Sequence, residues 1–261
     1  MAKSYTSGLM QMAIQDGYIK SLDQPICDFL PAFCEGLAAK TTVGDLSSMS
    51  SGTNWDESYY SPLSITTRAY FDDDLEKVIN GLEVIEEPGK GFKYASGDTQ
   101  MLAMVVEAAT GKKLYDYLED RIWKPLGAEH EAFWQVDSEG HDLVKAYCCI
   151  ASNAKDFAKY GKLFKDHGKW QGQQLMDSSF IVKSVRPRFE DAPEYGYGWW
   201  LADVANRSVF YMRGHLGQYV IVSPEDNVII VRLGHSIAKA ADDPHSDDFY
   251  TIVEEAFKMM D

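Results

Sequence analysis

Residues Glu87 to Gly111 read EPGKGFKYASGDTQMLAMVVEAATG, and this stretch sets the frame for the whole chain. Pro88-Gly89 is a turn pair: proline presets φ and glycine supplies the left-handed conformation. Met101, Leu102, Val105, Val106 and Ala109 then recur at three- and four-residue spacing, which predicts a helix over 98–110 with one apolar face. Ser96 or Asp98 can cap its start by accepting from free backbone N–H groups, and Gly111 stops its far end. Tyr94 is thereby held just ahead of a buried helix. By itself it fits either a half-buried core tyrosine or a general acid/base. The second role needs a cation nearby, because an unperturbed phenol with pKa about 10 is a poor base at neutral pH.

Outward from this stretch, the N-terminal side predicts a helix over 4–16, with Leu9, Met10, Ala13 and Ile14 buried and Gly17 as its end. Thr41-Thr42 and Gly44-Asp45 open a short helix through Met49. Residues 53–72 are aromatic and polar without clean periodicity and read as a loop-rich lobe; 73–81 reads as helical. On the C-terminal side, helices are expected near 113–123, from a Ser152 cap to about Asp166, and near 178–185, with 128–150 irregular or in short strands. Tyr195–Asp203, Ser208–Met212, Gln218–Ser223 and Val228–Leu233 are β-branched or aromatic runs separated by turns, so they read as antiparallel strands. Asp247–Met260 closes the chain as a helix. Of Trp199 and Trp200, one is expected in the core and one in a cleft. The outline is α+β, a single domain over 1–261. A helical lobe, about 27–190, is inserted between the first helix and the sheet with its final helix, 195–261.

The 261 residues carry 25 basic and 40 acidic side chains, for a formal charge of −15. That surface repels nucleic acid and anionic membrane, so neither is expected as a partner. No apolar run is long enough to span a bilayer. The cysteines, Cys27, Cys34, Cys148 and Cys149, contain no C-x-x-C spacing. They are expected as buried free thiols, with a Cys27–Cys34 bridge the alternative in an exported protein. The histidines form no close ligand pair, so no metal and no cofactor is expected.

The order and text of these segments resemble the serine β-lactamase-like superfamily. The nearest likeness is to class C β-lactamases, related esterases and 6-aminohexanoate-dimer hydrolases. Ala13-Ile14-Gln15-Asp16-Gly17 with Lys20-Ser21-Leu22-Asp23-Gln24-Pro25, then Leu46–Gly52, the 87–111 stretch, Tyr197-Gly198-Trp199-Trp200 and Gly214-His215-Leu216-Gly217-Gln218 carry the resemblance over nearly the whole chain. It implies a β-lactamase/transpeptidase-like fold, an antiparallel sheet flanked by helices plus the helical lobe, and acyl transfer through a serine ester.

The family's first motif is Ser-x-x-Lys, whose spacing of just under one helical turn puts both side chains on one face. Lys3 stands at the lysine position. The serine would fall immediately before Met1, so the resemblance implies a start upstream of this sequence. Ser4 would point about 100° away around the helix. Ser152-Asn153-Ala154-Lys155 and Ser236-Ile237-Ala238-Lys239 also spell the pattern, but the first follows the tyrosine motif and the second follows the last strand, the wrong order for the family. The second motif, Tyr-x-Asn, is matched by Tyr94-Ala95-Ser96. The resemblance gives Tyr94 the task of pairing with Lys3 and protonating the leaving group. It leaves Ser96 between a contact to Lys3 or substrate and a helix cap. The third, Lys-Thr-Gly, is matched by His215-Leu216-Gly217. Gly217 would let substrate lie against the strand edge, and the Gln218 N–H would be an oxyanion donor. Histidine in place of lysine weakens the positive charge offered to a β-lactam carboxylate and favours a neutral ester or amide; a core histidine is the other reading of His215.

The family's N-terminal strand pair is absent ahead of the first helix. Val228–Val231 is therefore expected as an open apolar edge, which recruits other chains and leads to a homodimer or poor solubility. A serine hydrolase acting on a small-molecule ester, amide or β-lactam-like substrate is the leading reading. A non-catalytic ligand-binding or sensor domain that keeps the cleft is the alternative. Periplasmic and cytoplasmic locations both remain open.

Overall fold

The computed structural model describes residues 1–59, 61–236 and 244–260. They group into two compact units, one of Ala2–Pro125 with Ala132–Ala151 and one of Met1, Leu126–Glu131 and Ser152–Asp261.

The first unit is built on two helices, α1 (Ala2–Gln15) and α5 (Ser96–Thr110), which pack against each other. Leu9, Met10, Met12 and Ala13 of α1 and Met101, Leu102, Val105 and Val106 of α5 are buried. Polar groups inside this core find partners: the Ser7 and Ser47 hydroxyls lie 2.8 Å apart, and the Thr6 hydroxyl reaches the Ala146 carbonyl at 3.3 Å. Gly17 (φ 82°) follows α1, and Gly111 (φ 67°) caps α5 in the left-handed region, as the sequence predicts. Short helices complete the unit: α2 (Val43–Ser47), α3 (Ile65–Phe71), α4 (Leu75–Asn80) and α6 (Leu114–Leu118), the last continuing as a wider π turn over Glu119–Trp123. Helix α2 is held by a reciprocal Thr42–Asp45 capping box. A two-residue pairing, β1 (Phe133–Trp134) with β2 (Ile150–Ala151), closes it.

In the second unit, the hairpin β3 (Lys169–Trp170) and β4 (Gln173–Gln174) precedes a four-stranded antiparallel sheet. Its strands, β5 (Trp200–Val204), β6 (Arg207–Gly214), β7 (Gln218–Ser223) and β8 (Val228–Leu233), lie in sequence order. Period-two alternation assigns the faces. Phe210 packs edge-on to Trp199, which stacks with Tyr160 and meets Phe164 at a tilt, both from α7 (Ala154–Lys165). Its neighbour Tyr211 stacks on Phe249 of α9 (Asp247–Lys258) at 4.3 Å. A Cβ added at Gly161 would lie 3.0 Å from Val220, so α7 sits directly on the sheet. Helix α8 (Ser178–Ser184) follows β4 in the chain. Trp199 is the core tryptophan, and Trp200 is also buried, against Tyr195 and Tyr211.

Four expectations need correction. All four cysteines are bonded, Cys27 to Cys34 and Cys148 to its neighbour Cys149. Residues 65–71 form a helix because Ser64 caps it, accepting from Thr67 N at 3.2 Å, despite β-branched and aromatic content. Asn153, not Ser152, caps α7; the Ser152 hydroxyl donates to the Glu131 carbonyl. Neither Ser96 nor Asp98 caps α5, whose N-cap residue is Ala95.

Strand β8 is bonded only to β7 among the described residues. No helix there is long and apolar enough to cross a membrane.

Candidate active site

Lys3 stands in the first turn of α1 and Tyr94 two residues ahead of α5, so the packing of these two helices brings them together. The Lys3 ammonium lies 5.1 Å from the Tyr94 ring centre and 6.0 Å from that of Tyr147. It donates to the Tyr147 carbonyl at 2.8 Å. Such cation–ring contacts contribute about 0.5–2 kcal/mol and keep the ammonium close to the phenols. Tyr147 is buried, and burial pushes its phenol well above the ordinary range, so it stays protonated. Its hydroxyl has no hydrogen-bond partner among the described residues.

Ser96 does not turn toward Lys3. Its hydroxyl donates to Glu57 Oε1 at 2.6 Å and its backbone N–H to Glu57 Oε2 at 2.7 Å. Glu57 also accepts from Trp55 Nε1 at 2.6 Å and from the Tyr59 hydroxyl. A carboxylate thus sits on the positive end of α5, where the free N–H groups and the helix dipole favour an anion. Beneath it Trp55 is buried so tightly that a Cβ at Gly97 would fall 2.6 Å from its ring. Inside the same helix Asp98 is fully buried. Burial pushes its carboxyl up to about 7 against the pull of hydrogen bonds from Ser51 Oγ, at 2.5 Å, and Ser51 N.

The segment carrying Tyr147 is fixed from both sides. Gln100 of α5 donates to the Val144 carbonyl and accepts from Ala146 N, each at 2.9 Å, while Trp134 Nε1 donates to the Cys148 carbonyl at 2.9 Å. Lys145, also buried, donates to the Tyr70 carbonyl, and burial holds its ammonium pKa below the ordinary value.

In the sheet unit, His215, Leu216 and Gly217 form the β6–β7 turn. His215 is exposed there rather than in the core. Leu216 (φ 60°) and Gly217 (φ 78°) are both left-handed. The space a Cβ would take at Gly217 is filled by the Arg232 guanidinium, which donates to the Gly217 carbonyl at 2.8 Å, and by the Ser236 carbonyl. The Gln218 side chain donates to the Gly234 carbonyl. Of the Ser-x-x-Lys alternatives, Ser152 is engaged with Glu131, and residues 237–239 of the other lie outside the described residues.

Glu57, Trp55 and Tyr147 escape sequence reasoning. The only available sign is an acid set among aromatics in the 53–60 segment.

The Beta-lactamase family model matches residues 1–251. The chain belongs to the Beta-lactamase family, and its fold is the β-lactamase/transpeptidase-like α+β fold. It is 24% identical over 255 residues to 6-aminohexanoate-dimer hydrolase of Paenarthrobacter ureafaciens, covering 89% of this chain and 64% of that protein's length. Among solved structures, a Bacillus anthracis protein assigned as a 6-aminohexanoate-dimer hydrolase superposes with a TM-score of 0.81 at 20% identity, covering 99% of this chain and 70% of that one. The octameric penicillin-binding protein homologue from Pyrococcus abyssi superposes with a TM-score of 0.71 at 18% identity, covering 99% and 64%.

Proposed function

We propose that Lys3 and Tyr94 are the proton-handling pair of a serine acyl-transfer site that hydrolyses a small neutral ester or amide. The observation that carries this reading is the Lys3 ammonium held over the Tyr94 ring and pinned to the Tyr147 carbonyl. The attacking hydroxyl belongs three residues before Lys3, on the same helix face, which is the position directly ahead of Met1. It adds to the substrate carbonyl as its proton passes to the Tyr94 oxygen, which takes it as the phenolate paired with the Lys3 ammonium. Tyr94 returns a proton to the leaving group, and water then releases the acyl group from the serine. The Gln218 N–H stabilises the oxyanion. His215, Gly217 and Ser96 are assigned to the substrate side, Ser96 through the Glu57 carboxylate that fixes it. The name of the Paenarthrobacter relative, 6-aminohexanoate-dimer hydrolase, supports hydrolysis of a small molecule.

The test uses the chain prepared with a serine directly ahead of Met1. A fluorophosphonate probe should label that serine, and p-nitrophenyl acetate should turn over. Lys3→Ala or Tyr94→Phe should lower turnover by about 10²–10⁴-fold. The sequence without the added serine should take no label at Ser152 or Ser236. A folded, serine-bearing protein that takes no label and turns over no ester defeats the reading and leaves a ligand-binding module.

Among the described residues β8 is bonded on one side only, which also supports a homodimer through that edge. Sedimentation equilibrium should give a dimer mass, and Ile230→Lys should give a monomer. A monomer for the unmodified chain ends this part of the proposal.

A further inference from the structure

The disulfide between Cys148 and Cys149 closes a small ring in the backbone directly after Tyr147, the residue whose carbonyl anchors Lys3. The Tyr147 carbonyl belongs to the peptide unit that ends in the Cys148 nitrogen, so Lys3 is bonded to the peptide plane that leads into the ring. The next two planes are held as well: Trp134 Nε1 donates to the Cys148 carbonyl at 2.9 Å, and Gln135 N donates to the Cys149 carbonyl at 3.2 Å. Cys149 is left-handed, with φ 67°, a region a residue with a Cβ seldom adopts. Both cysteines are partly exposed, whereas Tyr147 beside them is buried. A dithiol can therefore reach the sulfurs while the carbonyl they control faces the interior.

We propose that Cys148–Cys149 is a reversible thiol–disulfide site whose redox state sets the anchoring of Lys3. The reductant class is a small or protein dithiol. One of its thiolates attacks a sulfur of the pair and forms a mixed disulfide, releasing the other cysteine as a thiolate. The second thiol of the reductant then displaces the remaining cysteine. The protein gains two electrons and two protons, and the reductant leaves as its own disulfide. With the ring open, Cys149 returns to negative φ, and the peptide planes on either side of Cys148 rotate. The Tyr147 carbonyl turns with them and loosens its hold on the Lys3 ammonium. Oxidation re-forms the ring and the anchor. The chemistry needs no turnover by the chain; the proposal rests on the hydrolase reading only for its consequence, that reduction would move Lys3 away from Tyr94.

Linkage supplies a test that does not use activity. If the ring orients the carbonyl for Lys3, then Lys3 must stabilise the ring by the same factor. The protein is equilibrated in dithiothreitol buffers of graded oxidised fraction, free thiols are alkylated, and each pair is read by mass spectrometry. The Cys148–Cys149 pair should reduce and re-form reversibly. Lys3→Met should raise its equilibrium constant for reduction at least threefold and leave Cys27–Cys34 unmoved. An unchanged constant in Lys3→Met overturns the proposal, as does finding Cys148 and Cys149 alkylated before any reductant is added. Should Lys3→Met not fold, the Lys3 side-chain resonance of the unmodified chain reads the same coupling. It should shift between oxidised and reduced forms, and an identical resonance in both overturns the proposal. Labelling by fluorophosphonate plays no part here, so the two readings fail separately.

Discussion

Glu57 caps a helix to which it does not belong: its carboxylate takes both the N–H and the hydroxyl of Ser96, at 2.7 and 2.6 Å, across 39 residues of sequence. With Trp55 and Tyr59 donating to the same group, this contact ties the aromatic loop to the start of α5 and so to Tyr94. Removing the carboxylate leaves the first turn of α5 without its anion and four donors without this acceptor. Glu57→Ala should cost about 2 kcal/mol in urea unfolding, and Glu57→Gln clearly less, since the amide keeps one acceptor. Equal midpoints for Glu57→Ala and the unmodified chain would show that the loop holds without this carboxylate.

Asp98 gives the chain a stability that declines with pH. Its carboxyl titrates near 7 in the folded state and near 3.9 when unfolded. A raised folded value means that its contribution is full below about pH 4 and is lost as the pH rises through about 7. Between pH 5 and pH 8 the unmodified chain should lose on the order of a few kcal/mol from this group. Asp98→Asn should lose markedly less over the same interval. Parallel pH slopes for the two proteins in urea titrations would contradict the assignment.

Asp156 has the opposite sign. Its side chain is fully buried, and burial alone would raise its pKa. It is bonded to Glu129 N (2.9 Å), Lys159 Nζ (2.9 Å), Asn153 Nδ2 (2.6 Å) and the His130 ring Nδ1 (3.1 Å), and these bonds hold it well below the carboxylate range. Its contribution is present above the unfolded value near 4 and is lost as the pH falls further. Asp156→Ala leaves Lys159 with Glu129 and the Gly127 carbonyl but takes the acceptor from Glu129 N, His130 N and Asn153 Nδ2, and should cost about 2–3 kcal/mol at pH 7. That deficit should shrink below pH 4. A deficit that stays constant down to pH 3 would place the effect in packing.

The β5–β6 connection holds Ala205 (φ 52°) and Asn206 (φ 61°), both left-handed, in the two-residue turn that matches strand twist. Asn206 suits this geometry and Ala205 does not. Ala205→Gly should stabilise the chain by about 1 kcal/mol, seen as a rise of about 2–4 °C in melting temperature. A lower melting temperature would mean that the Ala205 methyl makes a contact worth more than the backbone relief.

The periodic parts of the molecule were legible before the structure. The apolar spacing of α5 and its Gly111 stop, the four strands from Trp200 to Leu233 and the closing helix follow from patterns of three-to-four and two. Lys3 and Tyr94 were legible only through resemblance, and their approach to 5.1 Å comes from the packing of α1 on α5. What stayed hidden was non-local or conformational. No window of sequence links Glu57 to Ser96. The Cys148–Cys149 bond goes with a positive φ at Cys149 that composition does not encode. Ile65–Phe71 has poor intrinsic propensity, and its cap decided the outcome. Between Ser152 and Asn153 either residue type can cap, so chemistry alone could not fix the boundary.

Gly217 carries a warning for anyone mining genomes with the His-Leu-Gly triplet as a token of activity. A Cβ here would lie 2.6 Å from the Ser236 backbone carbonyl and would have to adopt a φ of 78°, so any larger residue is strained even if the Arg232 guanidinium swings aside. Descendants that had abandoned hydrolysis altogether would still be obliged to keep this glycine. Its presence in a distant sequence therefore reports a left-handed hairpin corner pressed against the neighbouring backbone and says nothing about whether the bearer can cut a bond.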